Sequence, residues 1–205
     1  MNKKILISLL AIGVVAAVAI GATIAYFSDT ETSIGNTFTA GVLDLNVDGG
    51  NTNVVKFNVA NMRPGNQPKG SYILANVGSI NGYLDLENIS LTDNENGCVE
   101  PEIEAGDTTC GNPGAGDGEL GSLVNLRLFV DRNGDGWISA SDTVFYNGPA
   151  GSVPTHFELD EPINAGSSTK IVALFDWWSS VNDNKGQNDS MVLDMTFELS
   201  QTTGQ

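Results

Sequence analysis

The chain has 205 residues, 40% of them hydrophobic, and 25 acidic against 9 basic side chains give it a formal net charge of −16. That length can bury one sizeable core and does not require two domains. The charge repels nucleic-acid phosphates and anionic lipid surfaces, which excludes nucleic acid as a partner; it also keeps an exported protein soluble and receptive to divalent cations, although plain surface solvation explains most of it.

The chain opens MNKKILISLLAIGVVAAVAIGATIAYFSD, with Lys3 and Lys4 ahead of an uncharged apolar run from Ile5 to Phe27 and small residues around Ala22 and Ala25. Basic, then apolar, then small residues followed by polar SDTETS read as an export signal over residues 1–25, cut after Ala25 by an export signal peptidase. The alternative is an uncleaved anchor, because about 20 apolar residues span a bilayer. A type IV pilin stalk would need cleavage before the apolar run, usually after Gly, whereas Lys4 leads straight into Ile5. Loss of Lys3 and Lys4 with the signal takes the formal net charge from −16 to −18. The mature protein is expected outside the cell, with no membrane segment.

Residues 26–40, YFSDTETSIGNTFTA, have no sustained alternation and form a polar arm with Phe27, Ile34 and Phe38 as isolated apolar points. Such an arm is either a frayed terminus or a strand that pairs with something else. The domain proper is expected over 41–205. In VLDLNV, Leu43, Leu45 and Val47 share one side, and further strands are expected at 54–59, 71–77 and 82–90. Cys98 and Cys110 are the two cysteines, both within GCVEPEIEAGDTTCG. In an oxidising exported setting they are most simply a disulfide that pins an inserted loop at about 92–120, since a zinc pair needs further Cys or His ligands and His156 is the one imidazole.

LVNLRLFV sets Val124, Leu126, Leu128 and Val130 against Asn125, Arg127 and Phe129, and runs into DRNGDGWISASD, residues 131–142. This stretch fits D-x-[DN]-x-D-G-x-x-x-x-x-D, with Asp where an EF-hand usually ends in Glu. Asp131, Asn133, Asp135, the carbonyl of Trp137, Ser139 and Asp142 would supply oxygens to calcium, the expected cofactor, while Gly136 allows the turn and Ile138 takes the position that packs inward. A polar turn making its own Asx hydrogen bonds would use the same residues. Strand-like flanks, with TVFYNG following, remove the helix pair that a sensor opens; calcium would instead staple a hairpin shut.

Strands are also expected at 143–147 and 169–176, a short helix in DWWSSVNDN, and a half-buried strand in MVLDMTFEL, where Met191, Leu193, Met195, Phe197 and Leu199 share one face. With 24 glycines and turn chemistry between about eight short strands, the expected fold is all-β, a jelly roll or β-sandwich. Asn88 and Asn188 stand in sequons and are glycosylation candidates.

The order of AYFSDTETSIGNTFTAGVLDLNV after the signal, then NMRPGNQPKGSYILANVGSINGYLDL, then GQNDSMVLDMTFELSQ resembles the TasA/camelysin family of exported proteins, including archaeal relatives in bundling pili. The resemblance implies a jelly-roll subunit of an extracellular pilus or biofilm-matrix fibre, a head-to-tail homopolymer able to bundle. In such fibres the arm of one subunit enters the sheet of the next, which is donor-strand complementation. On this chain the donor is 26–40, with Phe27, Ile34 and Phe38 as anchors. The physics agrees: main-chain hydrogen bonds give strength, an exposed edge becomes covered, and a contact that does not close makes a filament.

An enzyme is not expected. Camelysin was described as a metal-dependent peptidase, yet no H-E-x-x-H is present, and a serine triad would have to use His156 in PTHFELD without a nucleophile elbow. The other alternative is a secreted, calcium-braced carbohydrate-binding sandwich. Trp137, Trp177, Trp178, Tyr72, Tyr83 and Tyr146 could stack on sugars, though such aromatics equally pack a core or a subunit contact. A lectin has no need of the arm; a filament fails without it.

Overall fold

A computed structural model describes Lys3 and residues 41–50, 62–178 and 183–204. The signal, the arm 26–40 with Phe27, Ile34 and Phe38, and the strand expected at 54–59 lie outside the described residues. Among the described residues nine strands appear in chain order: β1 Leu45–Val47, β2 Lys69–Asn76, β3 Gly82–Glu95, β4 Gly114–Ala115, β5 Asn125–Val130, β6 Thr143–Pro149, β7 Phe157–Ile163, β8 Ser168–Asp176 and β9 Ser190–Ser200. Two short helices, α1 Glu100–Ala105 and α2 Leu120–Leu123, interrupt them between β3 and β5.

All pairings are antiparallel, and they make two sheets. The first runs β1-β2-β8-β5-β6. The second is built on the long β3, with β9 along one side from Tyr83↔Ser200 to Asn94↔Ser190, and with β7 and β4 along the other. The expected all-β sandwich is therefore what forms, because inward residues at every second position on both sheets bury one another. Leu126, Leu128, Ala173 and Phe175 form one half of that core, with Trp177 beside them, and Leu74, Leu84, Val130, Ile163, Ile171 and Leu199 form the other. Buried Asn76 ties the layers: its amide donates to the carbonyls of Ile80 and Ile163, and its oxygen accepts from Gly78 N.

Three local features depart from expectation. FELDEPI forms β7 although its pattern is unreadable, because Asp160 adopts φ 48° and the register against β3 slips between Leu84 and Leu86. DWWSSVNDN gives no helix at Trp177 and Trp178, where Trp177 is 1% exposed, and the nearby described helical turn is a 3₁₀ turn at Asn184–Gly186. Phe129, on the face opposite Leu128, is also buried; with Val172 and Leu174 it makes a small cluster on the outer face of the first sheet.

Candidate functional site

The 131–142 loop joins β5 to β6 and folds back over that outer cluster, where Ile138 packs against Phe129, Val172 and Leu174. Its turn is built by Asp131, whose oxygens accept from Gly134 N and Gly136 N, each 2.8 Å away, with Gly134 at φ 80° and Gly136 at φ 75°. Asp135 accepts from Trp137 N and from the Asn133 amide, and Asp142 accepts from Arg132 N, Ser139 N and the Ser139 hydroxyl. The cation that meets Asp131 is the ammonium of Lys170, 2.7 Å from Oδ2 and also 2.9 Å from the Gly134 carbonyl. Lys69 binds the Gly136 carbonyl at 2.8 Å and lies over the Trp137 ring. Burial works against ionisation of Asp131, but Lys170 and the two amides outweigh it and hold the carboxyl below its usual range. Arg132 then reaches across to β7 and grips Glu161 with both terminal nitrogens, at 2.9 and 2.8 Å.

A second polar centre lies at the disulfide, which joins Cys98 to Cys110 as expected. Five carboxylates meet there from five places: Glu95 at the end of β3, Glu102 in α1, Asp107 after it, Glu119 before α2 and Asp189 before β9. Oxygens of Glu95, Glu102 and Asp189 lie within 4.8 Å of one another, as do those of Glu95, Asp107 and Glu119. Each carboxylate spends one oxygen on the protein. Glu95 Oε1 accepts from Gly97 N, Glu102 Oε2 from Val99 N, Asp107 Oδ1 from Thr109 N, and Asp189 Oδ2 from Glu119 N, while Glu119 Oε1 and Asp107 Oδ1 share the single proton of the Thr109 hydroxyl. The second oxygen of all five is buried with no hydrogen-bond partner.

The electrostatics follow. Burial, and then repulsion from Glu95, Glu119 and Glu102, pushes the Asp189 carboxyl up to about 7. Burial and the neighbouring carboxylates raise Glu102 as well. For Asp107 burial is outweighed by hydrogen bonds from Thr109 and Cys110 and by the Lys185 ammonium, so it stays low. The sequence hid this centre because its members are spread from position 95 to 189 in a chain with 25 acids. The usable signal was local: four of the five lie in the excursion at about 92–120 that carries the disulfide.

The remaining candidates scatter. Trp177 is buried, Trp178 is half exposed and donates to Asp176, Tyr72 packs on Phe197, Tyr146 on Phe157, and Trp137 lies under Lys69; Tyr83 is half-buried in β3. Asn88 and Asn188 are both exposed, and the Asn188 amide donates to the Gly97 carbonyl. Along β9, which pairs with β3 alone among the described residues, the inward residues Met191, Leu193, Met195 and Phe197 are only partly buried, whereas Leu199 is 3% exposed.

A family model described as camelysin metallo-endopeptidase matches residues 1–108, just over half of the 205-residue chain. A comparison with curated proteins finds no match. The metal that the family's description implies can be tested against the donors present. Both cysteines are bound to each other, His156 stands exposed at the entry to β7 and joins none of the carboxylate groups, and the converging atoms are carboxylate oxygens. That donor set does not suit a His-ligated catalytic zinc and does suit a hard cation. With just over half of its length matched, the chain belongs to the camelysin metallo-endopeptidase family, the TasA/camelysin family.

Proposed function

We propose that the protein is a structural subunit of an extracellular filament, polymerised by insertion of the 26–40 arm of one subunit into the sheet of the next, and that it is not an enzyme. The observation that carries this reading is the state of β9. Its inward row from Met191 to Phe197 remains partly exposed along a strand that pairs on one side only among the described residues. A strand laid along this edge would satisfy its main chain and cover that row. Ile34 and Phe38, four residues apart, fall on one face of an extended donor and suit the row; Phe27 has the opposite parity and would anchor beyond it or after a bulge. Family membership supports the same reading. Dispersal of the six aromatic candidates through core and surface gives a sugar no flat platform.

The test is negative-stain electron microscopy of protein beginning at Tyr26 beside protein beginning at Gly41. Filaments from the first and monomers from the second are expected. Filaments from both would remove strand donation by the arm, and monomers from both would remove unaided self-assembly.

A further inference from the structure

We propose that Glu95, Glu102, Asp107, Glu119 and Asp189 form a calcium site that fastens the disulfide-closed excursion to the start of β9. Acidic side chains crowd together on many acidic proteins, so the crowding itself argues nothing. What argues for an ion is the state of the second oxygens. Glu95 is 2% exposed and Glu102 0%; each has one carboxylate oxygen, Oε2 and Oε1, buried with no donor to meet it, and the two residues bring carboxylate oxygens within 4.8 Å of each other and of Asp189. Asp107, Glu119 and Asp189 repeat the pattern, one oxygen held by a protein donor and one left bare. Burial of a carboxylate oxygen without a partner is costly, and five in one place repel one another as well. The protein donors thus fix the orientation of every carboxylate while leaving the charge unanswered. Lys185, which acts on Asp107, is a single ammonium beside five carboxyl groups.

The identity of the ion follows from the donors. An all-oxygen set selects a hard cation, and five carboxylates exceed the one or two that magnesium commonly takes from protein, whereas calcium accepts six to eight oxygens at flexible geometry. The disulfide sulfurs are poor ligands for such an ion, so Cys110 serves by closing the loop that carries Glu102 and Asp107. The 131–142 loop makes a poor competitor in this fold: its carboxylates are met by amides, hydroxyls and Lys170, and among the described residues none of them joins a converging group of three. The inference does not depend on polymerisation.

The test is calorimetric titration of purified protein with calcium chloride after chelation, with thermal melting in parallel. Expected are saturable binding and, at a calcium level one hundred times Kd, a rise in Tm of about 5–10 °C. Magnesium at the same concentration should bind at least about tenfold more weakly. Glu95→Gln with Glu102→Gln should weaken calcium binding by about a hundredfold or more and, by removing repulsion, raise the Tm measured in chelator. Asp131→Asn with Asp135→Asn should leave the calcium affinity within about twofold of the parent. Should the double glutamine variant fail to fold, Asp189→Asn at the partly exposed edge of the cluster reads the same loss. Absence of calcium binding by the parent protein, or binding lost in the loop variant and kept in the cluster variants, would overturn the site.

Discussion

Asp131 shows how a loop with calcium-type spacing can be held by the chain's own cation. Its side chain is 0% exposed and Lys170 is 23% exposed, so the pair is sheltered but not sealed. Lys170→Met keeps much of the stem and removes the ammonium, leaving Asp131 with two amide donors. Removing one partner of a fully buried pair costs about 3–5 kcal/mol; the partial exposure and the surviving amides reduce this to about 2 kcal/mol, read as a lower urea midpoint at pH 7. The sign with pH is fixed by direction. Asp131 titrates below its usual range when folded, so its contribution is complete above the unfolded value near 4 and is lost as pH falls through the depressed one. The gap between parent and variant should therefore hold from pH 7 to about 5 and narrow below about 4. A gap that instead widens in acid would show that Lys170 serves another partner.

At the scale of elements, legibility tracked the alternation of apolar residues. β9 is readable because one face of a single edge strand packs on the core and the other meets solvent, so Met191, Leu193, Met195, Phe197 and Leu199 fall in register with no bulge among them on their own strand. β7 was not readable: the left-handed turn at Asp160 and the register slip against β3 erase period two, and three acids in FELDEPI look like loop. Nor could alternation reveal that β8 is covered on both faces from Ile171 to Asp176, since that depends on what lies over Val172 and Leu174. Part of the cover is Ile138, the inward position of the calcium-type loop. Its spacing signalled a turn and an inward apolar residue, both of which form; it could not show that Lys170, 28 to 39 positions from every acid of that loop, would reach Asp131. Ile138→Ala should cost about 1–2 kcal/mol, below the range for a fully buried isoleucine because the site is half exposed, and lower the Tm by about 2–8 °C. No change would mean that Phe129, Val172 and Leu174 are shielded without the loop, and the staple would then rest on Lys170 and Lys69 alone.

At the scale of the whole molecule, charge opposes the proposed assembly along the edge of β9. A subunit without Lys3 and Lys4 carries a formal charge of −18, and a head-to-tail filament sets such subunits in permanent contact. Like charges repel over a Debye length of about 30 Å at 0.01 M salt but only about 10 Å at 0.1 M, so the penalty is long-ranged in dilute buffer and largely confined to the contact near physiological salt. Strand pairing and apolar cover, in contrast, barely depend on such salt. The critical concentration of the chain beginning at Tyr26 should thus fall at least about tenfold between 10 and 150 mM sodium chloride, measured as the protein left in solution after sedimentation. The chain beginning at Gly41 should stay soluble at both, since screening removes an obstacle without supplying a donor. Calcium added at constant ionic strength separates a second contribution: it should lower the critical concentration further in the parent protein and not in Glu95→Gln with Glu102→Gln, because only a filled cluster fixes the start of β9 on which the donor must dock. Equal effects in the two proteins would assign calcium to surface screening and uncouple the cluster from assembly.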